Sequence, residues 1–410
     1  MDNVTHALAG CLLAEATTVF LEKRGVTVTR RVRSALFAVG IISAELPDTD
    51  LLYAGNVLGM GKLGYMLHHR GYTHTVVFAI VGALLVWWAA LALRKELRDG
   101  SLKGTILTLA LVGTFSHLAL DYSNSYGVHP FWPMSGQWYY GDAVFIIEPW
   151  LMIAVLPPLL LLVRGKVGKS IYGVTLAAVI LATWMIGFVE RDVAIAITVA
   201  TPIWFVATRF ARPSRQVAMA LLAWLAVEGV FFQAASLARK DVIASVNVGG
   251  LRDIVLTPAV GNPLCFNALV VEKSADVIAA TTAAVAPFPS IRNVLRCNLP
   301  ASVDLNSTEV FDATSQAIAH RTSLEVAWGT QRRGSLVALI ALIQENCEIS
   351  AAMNFVRVPA WRAMQGGATQ FSDLRYGEGG FASITTLARP ERCPRFVPHW
   401  IPPRLDLFTH

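Results

Sequence analysis

The chain has 410 residues, of which 54% are apolar and only 15% charged. Soluble globular chains carry nearer a quarter charged residues, so an ordinary water-soluble protein is excluded. The net charge of +6 is not a nucleic-acid signal, because the basic residues of the first half lie in short loops between apolar runs, where they set membrane orientation.

The long apolar runs nearly all precede residue 240. This predicts a membrane helical domain over 1–238 and a soluble domain over 239–410. At the start, Asp2 precedes the first apolar run, and Lys23, Arg24, Arg30, Arg31 and Arg33 follow it. A cleavable signal peptide has the opposite order, so the first helix is expected to stay attached with its N-terminus outward.

A helical span needs about 20 mostly apolar residues. Runs 75–93, 143–163, 171–189 and 217–238 meet this, and 105–121 nearly does despite His117 and Asp121. Run 193–208 is shorter and contains Pro202, while 4–20 and 34–47 carry Glu15 and Glu45 and suit helices packed inside a bundle. The expectation is an all-α polytopic bundle of about eight helices.

Loops 21–33, 94–104, 164–170 and 209–216 hold fifteen Lys and Arg, against three in 48–74, 122–142 and 190–192. The positive-inside rule makes the first set cytoplasmic. Both termini are then extracytoplasmic, in the periplasm of a bacterial inner membrane.

Residues 239–410 lack a long apolar run. Leu324–Trp328, Leu336–Ile343, Ala352–Val358 and Phe381–Leu387 read as strands, separated by turns at Asn262-Pro263, Gly366-Gly367 and Gly377 to Gly380. A small β-rich domain with a Pro-rich tail follows. Cys265, Cys297, Cys347 and Cys393 all lie in it, an even number in a disulfide-permissive compartment, which favours at least one bridge and leaves three connectivities open. Its histidines, His320, His399 and His410, are not at ligand spacing, so capping the membrane site or choosing substrate suits it better than catalysis.

The informative residues are polar ones set against the apolar pattern. Asp2 and His6 are four apart, as are His117 and Asp121, so each pair lies on one helix face. Asp48 and Asp50 follow Pro47, and His68, His69 and His74 precede the third span. The alternating topology delivers all of them to the outer interface, while the cytoplasmic loops contain no histidine. Singly, each has an ordinary structural explanation, such as a cap, a turn or an orienting hydrogen bond. Charges within a membrane are costly, however, and their convergence marks function. Imidazole and carboxylate without thiolate suit zinc, with manganese also open. The excess of donors over one tetrahedral site points to two ions sharing an Asp.

Thr5-His6, Pro47-Asp48-Thr49-Asp50, His69-Arg70-Gly71-Tyr72-Thr73-His74 and His117 through Asp121 together resemble the YdjM family of bacterial inner-membrane proteins. That family is classed with metal-dependent hydrolases, distantly similar to zinc-dependent phospholipase C and zinc nucleases. The motifs cover roughly residues 1–142. More weakly, Arg357-Val358-Pro359-Ala360-Trp361 and Asp373-Leu374-Arg375-Tyr376 look like its longer members. The resemblance implies metal ligands at His6, Asp48, Asp50, His69, His74, His117 and Asp121. Thr75 stands where Ser is expected.

The expected activity is metal-assisted hydrolysis of a phosphoester or lipid-like ester at the outer face, on a small-molecule or lipid substrate. Asp50 or Asp121 would be general base and Arg70 a phosphate partner, although Arg70 equally suits a structural ion pair. Asp2, His68, His129, Asp142 and Glu148 are second-tier candidates, and Glu228 lies too deep to join. Trp132, Trp138, Tyr139 and Tyr140 in loop 122–142 suit a membrane interface better than a substrate entry. The alternatives are a metal or proton-coupled transporter, which needs polar groups through the midplane, and a membrane protein with a purely structural metal.

Overall fold

A computed structural model describes residues 1–410 except 56–57, 188, 298–317, 322, 391 and 409–410. His410 lies outside the described residues. The chain is helical to Ser245 and then largely β.

Each apolar run of the first half folds as a helix. The helices are α1 (Asn3–Lys23), α2 (Arg30–Glu45), a short α3 (Gly61–His68), α4 (Val76–Leu93), α5 (Gly100–Tyr122), α6 (Pro149–Leu162), α7 (Lys166–Met185), α8 (Arg191–Arg209) and α9 (Pro213–Ser245). Their starts follow local chemistry. Asp2, Thr29, Thr75 and Glu148 each accept a first-turn N–H as N-caps, and Pro149 and Pro213 sit where a missing N–H costs nothing.

Among the described residues, six helices are long and apolar enough to cross a membrane: α1, α4, α5, α7, α8 and α9. The expected bundle of about eight helices is present; α2 (16 residues) and α6 (14 residues) are shorter than these six. α2 gives way to the 3-10 turn Leu46–Leu52 at Pro47. The chain before Pro149 is not helical, so α6 begins six residues later than the apolar run. α3 had no counterpart in the sequence reading, because eight residues with two glycines carry no long apolar signal.

α9 continues past the apolar run, and its last turns lie on the first sheet. Ala234, Ala238 and Val242 share a core with Ile254, Leu256, Phe266 and Val270. That sheet is an antiparallel meander of β1 (Leu251–Ala259), β2 (Asn262–Ser274), β3 (Val277–Val285) and β4 (Val326–Ser335). A second antiparallel sheet holds β5 (Pro359–Ala363), β6 (Ala368–Asp373) and β7 (Ser383–Leu387). Between the sheets lie α10 (Leu336–Glu345) and α11 (Cys347–Ala352).

Two expected strands are corrected. Leu336–Ile343 is helical, capped by Ser335, whose hydroxyl accepts from the Ala338 N–H; a run apolar at almost every position fits either structure. Ala352–Val358 is the end of α11 and a loop. The meander over 251–285 escaped the reading because its strands are buried on both faces in long stretches, which erases polar alternation. Disulfides join Cys265 to Cys297 and Cys347 to Cys393.

The β-rich part sits on the end of the bundle where α1 starts and α5 ends. Leu63 and Leu67 of α3 and Trp138 share a core with Ile349, Phe355 and Trp361. The loop aromatics thus pack against the C-terminal half. Trp138 donates to the Asn354 carbonyl at 2.8 Å, and Tyr140 lies under the Arg357 guanidinium.

Candidate metal centre

Four segments meet at this end of the bundle. α5 supplies His117 and Asp121, one turn apart on one face, and the turn after α2 supplies Asp48 and Asp50. The approach of α5 to α2 depends on Gly113, where a Cβ would come within 2.7 Å of Ser43 Cβ. It lets His117 Nδ1–H donate to the Ala44 carbonyl at 2.5 Å, one of the last carbonyls of α2, which have no partner within the helix. The histidine loop needs unusual backbone. Arg70 takes a left-handed φ of 58°, and a Cβ on Gly71 would meet the His68 carbonyl oxygen at 2.6 Å. That kink carries the chain from His69, beside Asp50, round to His74 under it.

Four acceptor atoms then converge. His74 Nε2 lies 3.0 Å from His117 Nε2, 3.0 Å from Asp121 Oδ2 and 3.4 Å from Asp48 Oδ1. His117 Nε2 lies 3.4 Å from Asp121 Oδ2 and 3.5 Å from Asp48 Oδ1. Metal–ligand bonds of ~2.0–2.1 Å give a tetrahedron with edges of roughly 3.3–3.4 Å, and these separations bracket that value. His74, His117 and Asp121 side chains are fully buried, and Asp48 keeps 8% exposure. The network also sets the tautomers. His117 spends its Nδ1–H on Ala44, and the Nδ1 of His74 lies 3.1 Å from Thr73 Oγ1 and 3.3 Å from Asp50 Oδ2. Both Nε2 lone pairs therefore face the same point, as in metal sites whose outer contacts orient the imidazoles.

Asp50 is the orienting hub. It accepts from His69 Nδ1–H at 3.0 Å, from the Arg70 N–H at 2.8 Å and from the Thr73 hydroxyl at 2.8 Å. Burial would raise its carboxyl, but hydrogen bonds from His69 and His74 outweigh burial and hold it far below the ordinary range. Asp48 is likewise held down against burial by His117 and His74. Burial lowers His74, yet Asp121, Asp48 and Asp50 override it and raise the imidazole to about 10. A proton on His74 stands where these carboxylates attract a cation, and metal binding would release it. Asp48, Asp50 and His69 form a second donor group, sharing Asp48 with the first.

The other sequence candidates separate. His6 is buried, stacked 3.7 Å from His117, with Nε2 3.4 Å from Asp121 Oδ1 and neither ring nitrogen hydrogen-bonded. Arg70 pairs with Asp121 at 2.7 Å and donates to Asn124 at 3.0 Å, which is the structural ion pair. Asp2 does not aim at the cluster with His6; its carboxylate is used as the α1 cap on Thr5. His68 bonds the Phe396 carbonyl at 2.7 Å. His129 sits between Trp138 and Trp400, pushed down to about 3 by burial. Asp142 is held by Arg357 and Arg239, and Glu148 caps α6 and accepts from the Gly261 N–H. None of these last five belongs to either donor group. Sequence reasoning missed the Ala44 carbonyl, Thr73 and Asn124, and also Asn3, whose amide donates to Glu45 at 2.9 Å and to Asp48 at 3.1 Å. The Met1 amino group lies against Asp121. A main-chain acceptor and uncharged side chains leave no pattern to read.

The family model for the YdjM inner membrane protein matches residues 1–194. The Inner membrane protein YbcI of Escherichia coli (strain K12) is 36% identical over 131 residues, covering 30% of this chain. The match spans 62% of that relative's length. No solved structure matches at a significant level. Every residue of both donor groups falls inside the matched segment, and over residues 1–194 this membrane protein is similar to the YdjM inner membrane protein family.

Proposed function

We propose that the cluster holds divalent metal, zinc in preference to manganese, and that the protein is a membrane hydrolase acting on a phosphoester or lipid-like ester. The observation that carries this reading is the pair of opposed Nε2 atoms 3.0 Å apart, flanked by two carboxylates. Four acceptors aimed at one point repel unless a cation lies among them. Nitrogen and oxygen donors without thiolate suit zinc. The two donor groups share Asp48; His74, His117 and Asp121 would hold one ion with it, and Asp50 and His69 would hold a second.

Bound metal supplies a Lewis acid and water of lowered pKa. The chain's own groups do the rest. Asp50 is committed to three donors and Asp121 to Arg70, so neither is free to take a proton. His69 would be free to act as general base only where it is not itself a ligand in the Asp48–Asp50–His69 group. Asp50 fixes its Nδ1–H, and burial lowers its pKa, keeping the imidazole neutral with Nε2 as acceptor. Arg70 balances Asp121 rather than waiting for phosphate.

Both termini are proposed to lie outside, with the cluster at the outer face. The loop charges support this, as do two disulfides on the β-rich side. The test is metal analysis of the purified chain with activity against a panel of phosphoesters and lipids. About two equivalents are expected for a two-metal site; a chain that binds no zinc or manganese would sink the reading.

A further inference from the structure

A groove of about 1020 Å³ runs along the bundle between the α1–α2 pair and α7. One mouth is made by Asn3 and Glu45, and the other by Arg30, Arg33 and Arg164. Between them the wall is apolar, with Leu8 and Cys11 from α1, Phe37 and Ile41 from α2, and Ile171 from α7. Residues 30, 33, 34, 37, 41 and 45 of α2 line it, a continuous stripe at helical spacing. From Asn3 to Glu22 a helix rises about 28 Å, close to the hydrocarbon thickness of about 30 Å.

No donor-group residue lines the groove, but one of its lining residues bonds the cluster. Asn3, in its wall, donates to Asp48 Oδ2, and Asp48 is the one partly exposed member of the four-donor group. The cavity, linked to the cluster through Asn3, thus lies alongside α1, α2 and α7. Ile171 is 58% exposed on its rim, so the groove opens sideways towards the lipid layer.

We infer that the groove holds an acyl chain of a glycerophospholipid whose head group lies at the Asn3–Glu45 mouth, against the metal cluster. The inference rests on the metal-hydrolase reading and names its substrate class. The occupant follows from polarity. An apolar wall of membrane length suits a hydrocarbon chain and offers a water-soluble ester nothing. The far mouth offers the Arg30 and Arg164 guanidinium groups, Arg33 being paired with Glu15, and the Asn3–Glu45 mouth would take a phosphate only through bound metal. Substrate then enters from the bilayer, past α7, and not through the aromatic loop 122–142, which is packed under the β-rich part.

The test uses the full chain in vesicles of phosphatidylethanolamine and phosphatidylglycerol doped with a phosphatidylethanolamine carrying an acyl-chain diazirine. After photolysis, adducts should map to 4–11 and 37–41 several-fold above the lipid-facing side of α4 at Leu85 and Trp88. Ala7→Trp, which fills the groove, should remove the excess while leaving the α4 signal; Ser34→Trp, nearer the far mouth, serves if the first variant misfolds. Equal labelling of groove and α4, or labelling unchanged in both variants, overturns the inference. Metal content measured in parallel keeps the readings apart. Lost contrast with metal retained removes the groove alone, and preserved contrast in a chain without metal removes the hydrolase alone.

Discussion

At the scale of the residue, the site divides into atoms that face the centre and atoms that hold them there. His117 does both through its two nitrogens, one on Ala44 and one in the cluster. His117→Ala removes a donor from the four-atom group, and elemental analysis should find its metal lost while the helical circular dichroism stays. Asp50→Asn keeps the volume but weakens the hold on His69 and His74. Loss of an orienting partner costs roughly 10–100-fold in metal affinity, which competition with a fluorescent chelator reads directly; unchanged affinity would remove Asp50 from the orienting role. The facing residues were legible because i,i+4 spacing and polar residues in apolar runs are visible in a sequence. The difference between Asp48, which faces the centre, and Asp50, which orients, was not legible. It depends on a left-handed Arg70 and on which oxygen meets which nitrogen.

At the scale of the element, small residues decide how closely the helices carrying the site approach. A Cβ on Gly10 would lie 2.6 Å from the Gly40 carbonyl oxygen, and one on Gly40 would lie 2.4 Å from that of Gly10. α1 and α2 therefore touch backbone to backbone, which is what small residues permit between membrane helices. Gly40→Val inserts atoms where backbone has no room. Overpacking of this kind costs roughly 1–3 kcal/mol. Because α2 leads directly into Asp48, the variant should lose both thermal stability in detergent and metal affinity. The half-buried Gly173→Val on α7, where an added Cβ meets nothing within 4 Å, should change neither. Apolar runs located the helices well, since burial in lipid needs no alternation. They located the strands poorly, because β2 and β3 are buried on both faces and α10 is apolar at almost every position.

At the scale of the whole molecule, Arg357 fastens the β-rich part to the bundle end. Its guanidinium bonds Asp142 at 2.7 and 2.8 Å and Asp253 at 2.7 and 3.1 Å. Arg375 adds a bond to the Ser125 carbonyl at 2.7 Å. Both arginines lie in the segments whose sequence resembled longer family members, and the structure gives them a docking role. Removing one partner of a buried ion pair costs about 3–5 kcal/mol, chiefly through the charge left behind. Here Arg239 still meets Asp142 at 2.8 Å and Arg404 meets Asp253 at 3.3 Å, so Arg357→Ala should fall at the low end, near ~3 kcal/mol. Limited proteolysis should then cut between the helical and β-rich parts while the helices remain folded. The same docking ties orientation to chemistry. The β-rich part and the metal centre share one end of the bundle, so whichever side the C-terminus occupies, the centre occupies too. A protease-cleavable C-terminal tag on intact spheroplasts should be removed by added protease. A protected tag would move the centre to the cytoplasmic face and with it the leaflet that supplies substrate.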